Sequence, residues 1–259
     1  YCGDFNYHDT VYNFGKECDL ITFEIEHINV DALESLEKIG KAVYPKSNTL
    51  RIIQDKNLQK SFFKKNNIPT SNFKYFNSLY DLKKSIEKNE IKFPCVWKKT
   101  KFGYDGFGVK ILNSLEDIDK LPNSEMIIED YILFEKEVSV IVARNVKGDI
   151  KCYRTVEMEF NNISNQVEYV ISPANISDEI DKKAQKIAVK LSESLDCVGL
   201  LAVEMFLTGK EILVNEIAPR PHNSGHFSIE ACESSQFQQH IRAIFNLDLG
   251  ETNHSGSAI

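Results

Sequence analysis

The feature that most constrains the fold is a pair of apolar runs on either side of Thr208-Gly209-Lys210, which is a turn signal. The pattern predicts a β-hairpin, and a three-residue loop over 209–211 would place Thr208 opposite Ile212 and Glu204 opposite Glu216. Opposed side chains on antiparallel strands have Cβ atoms roughly 5 Å apart, so two such carboxylates repel unless a cation lies between them. The alternative is a pair of exposed strand glutamates.

Polar residues next to this carboxylate pair favour the functional interpretation. Asn215 adds a neutral oxygen donor, and hard oxygen ligands in this number suit a Mg²⁺ ion that holds the phosphates of a nucleotide. The segment after the hairpin then packs five polar side chains into seven residues: Arg220, His222, Asn223, Ser224 and His226. An ordinary loop does not explain this density, so we expect a functional site here.

Composition excludes several classes of protein. The formal net charge of −7 argues against a nucleic-acid or anionic-membrane surface, because both need a basic face. No apolar run approaches the length of a membrane span. The six cysteines are scattered without a CxxC pair, which indicates buried thiols in a reducing cytoplasm and neither disulfides nor a zinc site. The chain does not begin with Met, and we expect it to be a piece of a longer protein.

The first segments alternate between strand and helix. Residues 19–26 form a predicted strand, residues 29–39 have helical spacing with Asn29 as a plausible cap, and residues 42–45 form a further strand. This alternation predicts a parallel, doubly wound sheet whose ligands lie at the carboxyl ends of its strands. Glu24 and Glu26 lie at such an end, and surface charge is an equally good explanation for them.

A second small α/β unit follows a long helix. The helix is predicted over residues 48–67 and contains Lys56, which at such a position is most often solvated. The unit itself has a helix at 80–88 and a strand at 93–98.

That strand leads into a glycine-rich segment with Gly103, Gly106 and Gly108. Glycines let the backbone approach a phosphate closely, and Lys98 at the strand end could meet phosphate oxygens as a point charge. The segment fits neither a P-loop nor a GxGxxG turn that opens a long helix. Since residues 109–112 form a returning strand, we expect a glycine-rich hairpin that folds over a nucleotide. A flexible hairpin without a ligand is the alternative.

The second half of the chain is predicted to alternate between strands and two further helices. Residues 126–144 contain a strand, a short acidic linker and another strand, and adenine sites commonly use main-chain groups of such a linker. Glu137 is suited to bind ribose hydroxyls. Further strands are predicted at 150–157 and 166–172, and helices at 177–195 and 228–244.

The combination of motifs resembles the ATP-grasp superfamily, and within it the N5-carboxyaminoimidazole ribonucleotide synthetases of purine biosynthesis. The residues that carry the resemblance are 22–26, 54–56, 103–108 and 215–226. The resemblance implies an α/β fold with α+β lobes: an ATP-grasp fold preceded by part of an N-terminal Rossmann-like (pre-ATP-grasp) domain. The implied division is an N-terminal part with linking helix, a small lobe, a large lobe and the start of a further domain, at 1–70, 71–125, 126–250 and 251–259.

The resemblance also implies roles for individual residues. Glu204 and Glu216 correspond to the ligands of Mg²⁺, and ATP would lie between the two lobes. The implied ATP-binding residues are Lys56, Lys98, Gly103, Tyr104, Asp105, Gly106, Phe107, Gly108, Val109, Glu129, Asp130, Tyr131, Ile132, Glu137, Asn215 and Glu216. Lys98, Tyr104, Asp105 and Arg220 are the implied catalytic residues. Contacts to the ribonucleotide or bicarbonate are assigned to Glu24, Glu26, Tyr104, Asp105, Arg220, His222, Asn223 and Ser224.

The activity implied by the resemblance is the ATP-dependent carboxylation of 5-aminoimidazole ribonucleotide by bicarbonate, by a cytoplasmic homodimer. Two alternatives remain: the sister ligase that joins formate to glycinamide ribonucleotide, and a nucleotide-binding module without chemistry. Phe160 falls where many relatives carry a nucleotide-contacting histidine, and Phe102 stands where a further glycine is usual.

Overall fold

The computed structural model describes residues 2–101, 108–161 and 167–259. Its N-terminal part contains α1 (His8–Gly15), β1 (Leu20–Ile21), α2 (Val30–Lys38) and β2 (Ala42–Val43). The two strands pair in parallel, with Leu20 opposite Ala42, as the alternation of strand and helix predicts. The first strand ends at Ile21, so the predicted extension to residue 26 is wrong and Glu26 lies in the loop after it.

The linker to the lobes is two helices, α3 (Ser47–Ile53) and α4 (Lys56–Lys65), and not the single helix that periodicity predicts. The break has a local cause, because the Asp55 side chain accepts hydrogen bonds from the backbone N–H groups of Asn57 and Leu58 and so caps α4. The Gln54 amide turns the other way and donates to the carbonyl oxygens of Glu26 and Ile28. This break fixes the direction in which Lys56 enters α4.

The small lobe is a four-stranded antiparallel sheet beside one helix. It contains β3 (Phe73–Phe76), α5 (Leu79–Glu87), β4 (Cys95–Lys99), β5 (Val109–Leu112) and β6 (Met126–Asp130), with a 3-10 helix at Leu115–Lys120. The strand order is β3-β6-β4-β5. The predicted returning strand is confirmed, because Lys98 pairs with Val109 across β4 and β5. Trp97, Leu112, Met126 and Ile128 lie in its buried core.

The large lobe is a six-stranded sheet packed against one long helix. It contains β7 (Lys136–Arg144), β8 (Ile150–Cys152), β9 (Val156–Phe160), β10 (Val167–Ile171), α6 (Asp178–Ser194), β11 (Gly199–Thr208) and β12 (Glu211–Ala218). The strand order is β10-β9-β7-β11-β12, with β8 on the end of β7. The predicted helix cap is confirmed, since the Ser177 hydroxyl accepts from the N–H of Ile180. Apolar side chains of α6, β7, β11 and β12 form one buried core.

The segment after β12 folds back along the sheet. A 3-10 turn at Asn223–Gly225 is followed by α7 (Ser228–Ala231) and α8 (Gln236–Ile244). The helix predicted over 228–244 is therefore broken, because Ser235 begins a new helix with a capping box to Gln238. Among the described residues no helix is both long and apolar enough to cross a membrane.

Candidate active site

The hairpin of β11 and β12 brings Glu204 directly opposite Glu216, as predicted, but by a different register. The turn has two residues and pairs Thr208 with Glu211, so the predicted three-residue loop is wrong. A β-bulge between Glu204 and Met205 adds the missing residue, and that residue is Asn215 on β12. Asn215 and Glu216 consequently both line the same cleft.

The burial pattern of β12 reflects this bulge. Val214 and Ile217 both belong to the buried core of the large lobe, although strict alternation in a strand would put residues three apart on opposite faces. The spacing of buried residues on β12 changes from two, between Ile212 and Val214, to three, between Val214 and Ile217. The extra residue turns two polar side chains toward the cleft in succession.

The two opposed carboxylates are each matched by a cation or a proton donor of the chain. The ammonium group of Lys56 contacts the Glu216 carboxylate, and His222 Nε2 lies 3.2 Å from Glu204 Oε1. Burial alone would raise the pKa of Glu204, but the hydrogen bond from His222 and the charges of Lys56 and Lys98 lower it. Burial lowers the pKa of Lys56 to about 8, and the neighbouring charge of Lys98 adds to that effect. Lys56 is therefore part of the site.

Lys98 lies at the centre of a hydrogen-bond network that joins the two lobes. Its ammonium group donates to Asn215 Oδ1 over 2.8 Å and lies 3.2 Å from Glu129 Oε1. Burial and the nearby charge of Glu204 raise the pKa of Glu137 to about 8, against the opposing effects of Lys98 and Asn215.

Glu129 and Lys60 form a buried ion pair behind Lys98. Their side chains are 3% and 1% exposed, and Lys60 Nζ lies 3.1 Å from Glu129 Oε2. The Ser71 hydroxyl donates to the same carboxylate oxygen over 2.7 Å. Burial would raise the pKa of Glu129, but the charges of Lys98 and Lys60 lower it to about 2. Sequence reasoning missed Lys60, because nothing in a helical pattern separates it from the solvated lysines of the same helix.

Arg220 and Glu26 connect the N-terminal part to the large lobe. Arg220 Nε donates to Glu26 Oε1 over 3.0 Å, and the backbone of Glu26 is held by Gln54. Glu24 is exposed, and the structure does not bring it to this pair. Of the two predicted glutamates, Glu26 is therefore the one that contacts Arg220.

His222 is held by residues on three sides. Its Nδ1 shares a 2.9 Å hydrogen bond with the Ser224 hydroxyl, which in turn lies 2.9 Å from the hydroxyl of Ser139. The Gln236 side chain bonds both the N–H and the carbonyl of His222. Ser224 is fully buried, so in this structure it orients His222 and presents no surface to a substrate, whereas Asn223 lines the cleft. Sequence reasoning missed Ser139, although a serine inside the apolar strand 138–142 is a signal of a polar partner.

The cleft between the lobes has a volume of 820 Å³, within the usual range for a small-molecule site. Its apolar walls come from both lobes, chiefly Val96, Ile111, Phe160 and Phe206. The predicted residues that line it are Lys98, Val109, Glu129, Asp130, Tyr131, Ile132, Glu137, Glu204, Asn215, Glu216, His222 and Asn223. Gly108 accepts a hydrogen bond from the N–H of Lys99 at its edge. Gly103, Tyr104, Asp105, Gly106 and Phe107 lie outside the described residues, as does Phe102.

The donor set at the bulge fits a hard divalent cation. Two carboxylates and the Asn215 amide oxygen come from neighbouring strands, and Mg²⁺ prefers such oxygen ligands with phosphates completing its shell. Within the described ranges no cluster of three or more His, Cys, Asp or Glu side chains could hold a metal ion by itself.

Known families match this chain in two parts. The ATP-grasp domain matches residues 61–237, and the ribonucleotide synthetase pre-ATP-grasp domain matches residues 1–54. The chain therefore belongs to the ATP-grasp family. The predicted fold is confirmed, including the pre-ATP-grasp domain that precedes the ATP-grasp domain.

Within that family the chain is similar to N5-carboxyaminoimidazole ribonucleotide synthases, as its motifs predict. The Bacillus subtilis enzyme is 38% identical over 96% of this chain and 66% of its own length. The chloroplastic phosphoribosylaminoimidazole carboxylase of Vigna aconitifolia is 41% identical over 96% of this chain and 45% of its own. This chain thus spans about half to two thirds of these curated relatives.

Solved structures of such synthetases share the fold. The Thermotoga maritima synthetase superposes with a TM-score of 0.88 at 42% identity, over 98% of this chain and 66% of that one. The Aspergillus clavatus synthase, in complex with ADP and 5-aminoimidazole ribonucleotide, superposes with a TM-score of 0.87 at 34% identity, over 96% of this chain and 66% of that one.

Proposed function

We propose that this chain carries the ATP site and reaction centre of an enzyme that carboxylates 5-aminoimidazole ribonucleotide with bicarbonate. The products are N5-carboxyaminoimidazole ribonucleotide, ADP and phosphate. The observation that carries the proposal is the bulged hairpin, which sets Glu204, Asn215 and Glu216 on one wall of an interlobe cleft and Lys98 beside them. Relatives named as N5-carboxyaminoimidazole ribonucleotide synthases match nearly the whole chain. The structure of one such enzyme was solved with ADP and 5-aminoimidazole ribonucleotide.

The chemistry needs charge compensation more than it needs a nucleophile from the protein. An oxygen of bicarbonate attacks the γ-phosphorus of ATP and ADP leaves, which gives carboxyphosphate. The amine nitrogen of the ribonucleotide then attacks the carboxyl carbon and loses a proton, while the bond from that carbon to the phosphate oxygen breaks. Mg²⁺ held by Glu204 and Glu216 would offset phosphate charge in the first step. The cationic side chains Lys98 and Arg220 would bind the remaining charged groups of the substrates.

Individual residues of the site have proposed roles in these two reaction steps. Lys98 points between the lobes and would bind phosphate oxygens, held in place by Asn215. Arg220, oriented by Glu26, would bind bicarbonate or carboxyphosphate through the guanidinium N–H groups that the ion pair leaves free. Glu137 and the segment 129–132 would bind the nucleoside. His222 and Asn223 would contact the ribonucleotide.

Two substrate pairs test the proposal. The protein that carries this chain is supplied with ATP and Mg²⁺, first with bicarbonate and 5-aminoimidazole ribonucleotide, then with formate and glycinamide ribonucleotide. We expect ADP release with the first pair only. Release with the second pair alone would identify the sister ligase, and ATP binding without ADP release in either assay would identify a nucleotide-binding module.

We further place the enzyme in the cytoplasm as a homodimer that binds neither nucleic acid nor membrane. The net charge of −7 and the scattered thiols support this, together with the resemblance to the synthetases. Light scattering after gel filtration measures the oligomeric state, and a monomeric mass at micromolar concentration would contradict the dimer.

A further inference from the structure

Lys60 is a buried lysine that does not line the cleft, yet it belongs to the same charged cluster as Lys98. Its side chain is 1% exposed, and α4 carries it beneath the small-lobe sheet. Its ammonium group lies 3.1 Å from Glu129 Oε2, 2.7 Å from the Thr70 hydroxyl and 3.0 Å from the Ser71 hydroxyl. Burying a charged group costs desolvation free energy even when it has three polar partners at these distances. The presence of a lysine at this buried position therefore calls for a physical explanation.

The hydrogen bonds around Lys60 show which form of the side chain is present. The Thr70 hydroxyl donates to the carbonyl of Val214, and the Ser71 hydroxyl donates to Glu129. Both hydroxyls can therefore only accept from Lys60, which donates one hydrogen bond to each of them, and the Glu129 carboxylate 3.1 Å from its nitrogen favours the charged ammonium form. Burial lowers the pKa of Lys60 and the carboxylate of Glu129 opposes that shift. The ion pair with Glu129 is the contact that holds Lys60 in its charged form.

The charges of the cluster then explain what Lys60 does. Glu129 Oε1 lies 3.2 Å from Lys98, while its other oxygen faces Lys60. With Lys98 and Glu129 alone, the buried carboxylate would cancel the charge of Lys98. With Lys60 added, the carboxylate is already matched, and the cluster keeps one net positive charge at Lys98, the member that reaches the cleft.

We propose that Lys60 is a positioning residue for the nucleotide site: it neutralises Glu129 and so leaves the charge of Lys98 available to the phosphates of ATP. The proposal rests on the proposed nucleotide-binding function of the cleft. It differs from a purely structural role, in which Lys60 only ties α4 to β6, because a structural defect would weaken the binding of the nucleoside and of the phosphates alike.

The test compares the dissociation constants of ATP with Mg²⁺ and of adenosine by calorimetry on the full chain. Lys60→Met should weaken ATP binding by about tenfold and leave adenosine binding unchanged, the loss expected when a charged contact to phosphate is lost. Lys64→Met, on the exposed face of the same helix, is the matched control and should bind both ligands normally. Lys98→Met shows how far the dissociation constant of ATP rises when the charged contact to phosphate is removed completely.

A double variant separates charge compensation from packing. Glu129→Gln removes the charge that Lys60 is proposed to neutralise, so Lys60→Met should cost little ATP affinity when it is added to Glu129→Gln, whereas it costs about tenfold in the wild type. If Lys60→Met does not fold, Ser71→Ala takes its place; it loosens the same pair and should weaken ATP binding about threefold without affecting adenosine.

Several outcomes would overturn the proposal. These are an equal loss for ATP and adenosine, unchanged ATP binding in Lys60→Met, or a loss of about tenfold when Lys60→Met is added to Glu129→Gln. A wild-type chain that binds no ATP would overturn the proposed function as well. Normal wild-type binding that Lys98→Met weakens and Lys60→Met does not would reject the role of Lys60 alone.

Discussion

Glu204 and Glu216 lie directly opposite each other on β11 and β12, and they do so only because Asn215 bulges out between Val214 and Glu216. Without the bulge, the two-residue turn would pair Glu204 with residue 215 and place its partner carboxylate one position away. The bulge therefore creates the carboxylate pair and aims the Asn215 amide at Lys98 in the same step.

Glu216→Gln should abolish ADP production while leaving the protein folded. The substitution removes one carboxylate ligand for Mg²⁺ and the partner of Lys56, but it also relieves repulsion with Glu204, so the effects on stability oppose each other. We expect a loss of at least about a hundredfold in kcat, which corresponds to roughly 2.7 kcal/mol of barrier. Coupled-enzyme ADP assays over a Mg²⁺ titration measure it.

The matched control for that variant is Glu211→Gln, since Glu211 is an exposed glutamate at the far end of the same strand. It should have normal activity. Near-normal turnover of Glu216→Gln at low Mg²⁺ would show that the metal assignment is wrong.

Lys98→Met should raise the dissociation constant of ATP by about tenfold or more, because a charge-assisted contact to phosphate contributes about 1.5–3 kcal/mol. Lys99 follows on the same strand, is half-buried and does not line the cleft, so Lys99→Met should bind ATP like the wild type. Calorimetric titration with ATP and Mg²⁺ gives both constants. Equal affinities for the two variants would place the phosphates elsewhere.

Glu26→Gln should lower kcat/KM for bicarbonate by about tenfold, since a neutral amide holds the Arg220 guanidinium only about half as strongly as a carboxylate does. The fold should tolerate the change, because Gln54 hydrogen-bonds the backbone carbonyl of residue 26, and this bond does not depend on the side chain of that residue. Glu24→Gln is the control, with an exposed side chain two residues earlier. A loss confined to Glu24→Gln would reverse the assignment of the two glutamates.

His240 should make the protein less stable as the pH falls below neutrality. Burial lowers its pKa from 6.5 to about 4, so between these values the unfolded chain binds a proton that the folded chain does not. The free energy of unfolding contributed by His240 is thus fully present above pH 6.5 and is lost as the pH falls toward 4 and below. Urea denaturation at pH 7, 5.5 and 4.5 measures the slope.

His240→Gln supplies the comparison, because glutamine keeps a hydrogen-bonding group near Thr22 and does not titrate. Its unfolding free energy should fall less steeply over the same interval. Parallel curves for the two proteins would show that other groups carry the pH dependence.

The sequence by itself determined the pieces of this site that depend on local chemistry. The helix caps at Asn29 and Ser177 follow from a side chain that reaches a backbone N–H three residues on, and the structure has both. The hairpin that carries Glu204 and Glu216 follows from two apolar runs around a turn signal, although the bulge that sets them opposite each other does not, and the family follows from the segment after them. These interactions are local, and the amino-acid order specifies them.

Only the tertiary structure decided what depends on residues that are distant in the chain. Asp55 caps a new helix locally, but the contact of the preceding Gln54 with the backbone of a loop 28 residues earlier cannot be read from the periodicity of residues 48–67. By its sequence pattern Lys60 is an ordinary solvated helix lysine. In the structure it is buried against Glu129, which lies on β6 of the small lobe. Burial and charge at these positions are properties of the assembled lobes, because the low dielectric that gives an ion pair its strength exists only once the surrounding chain has excluded water.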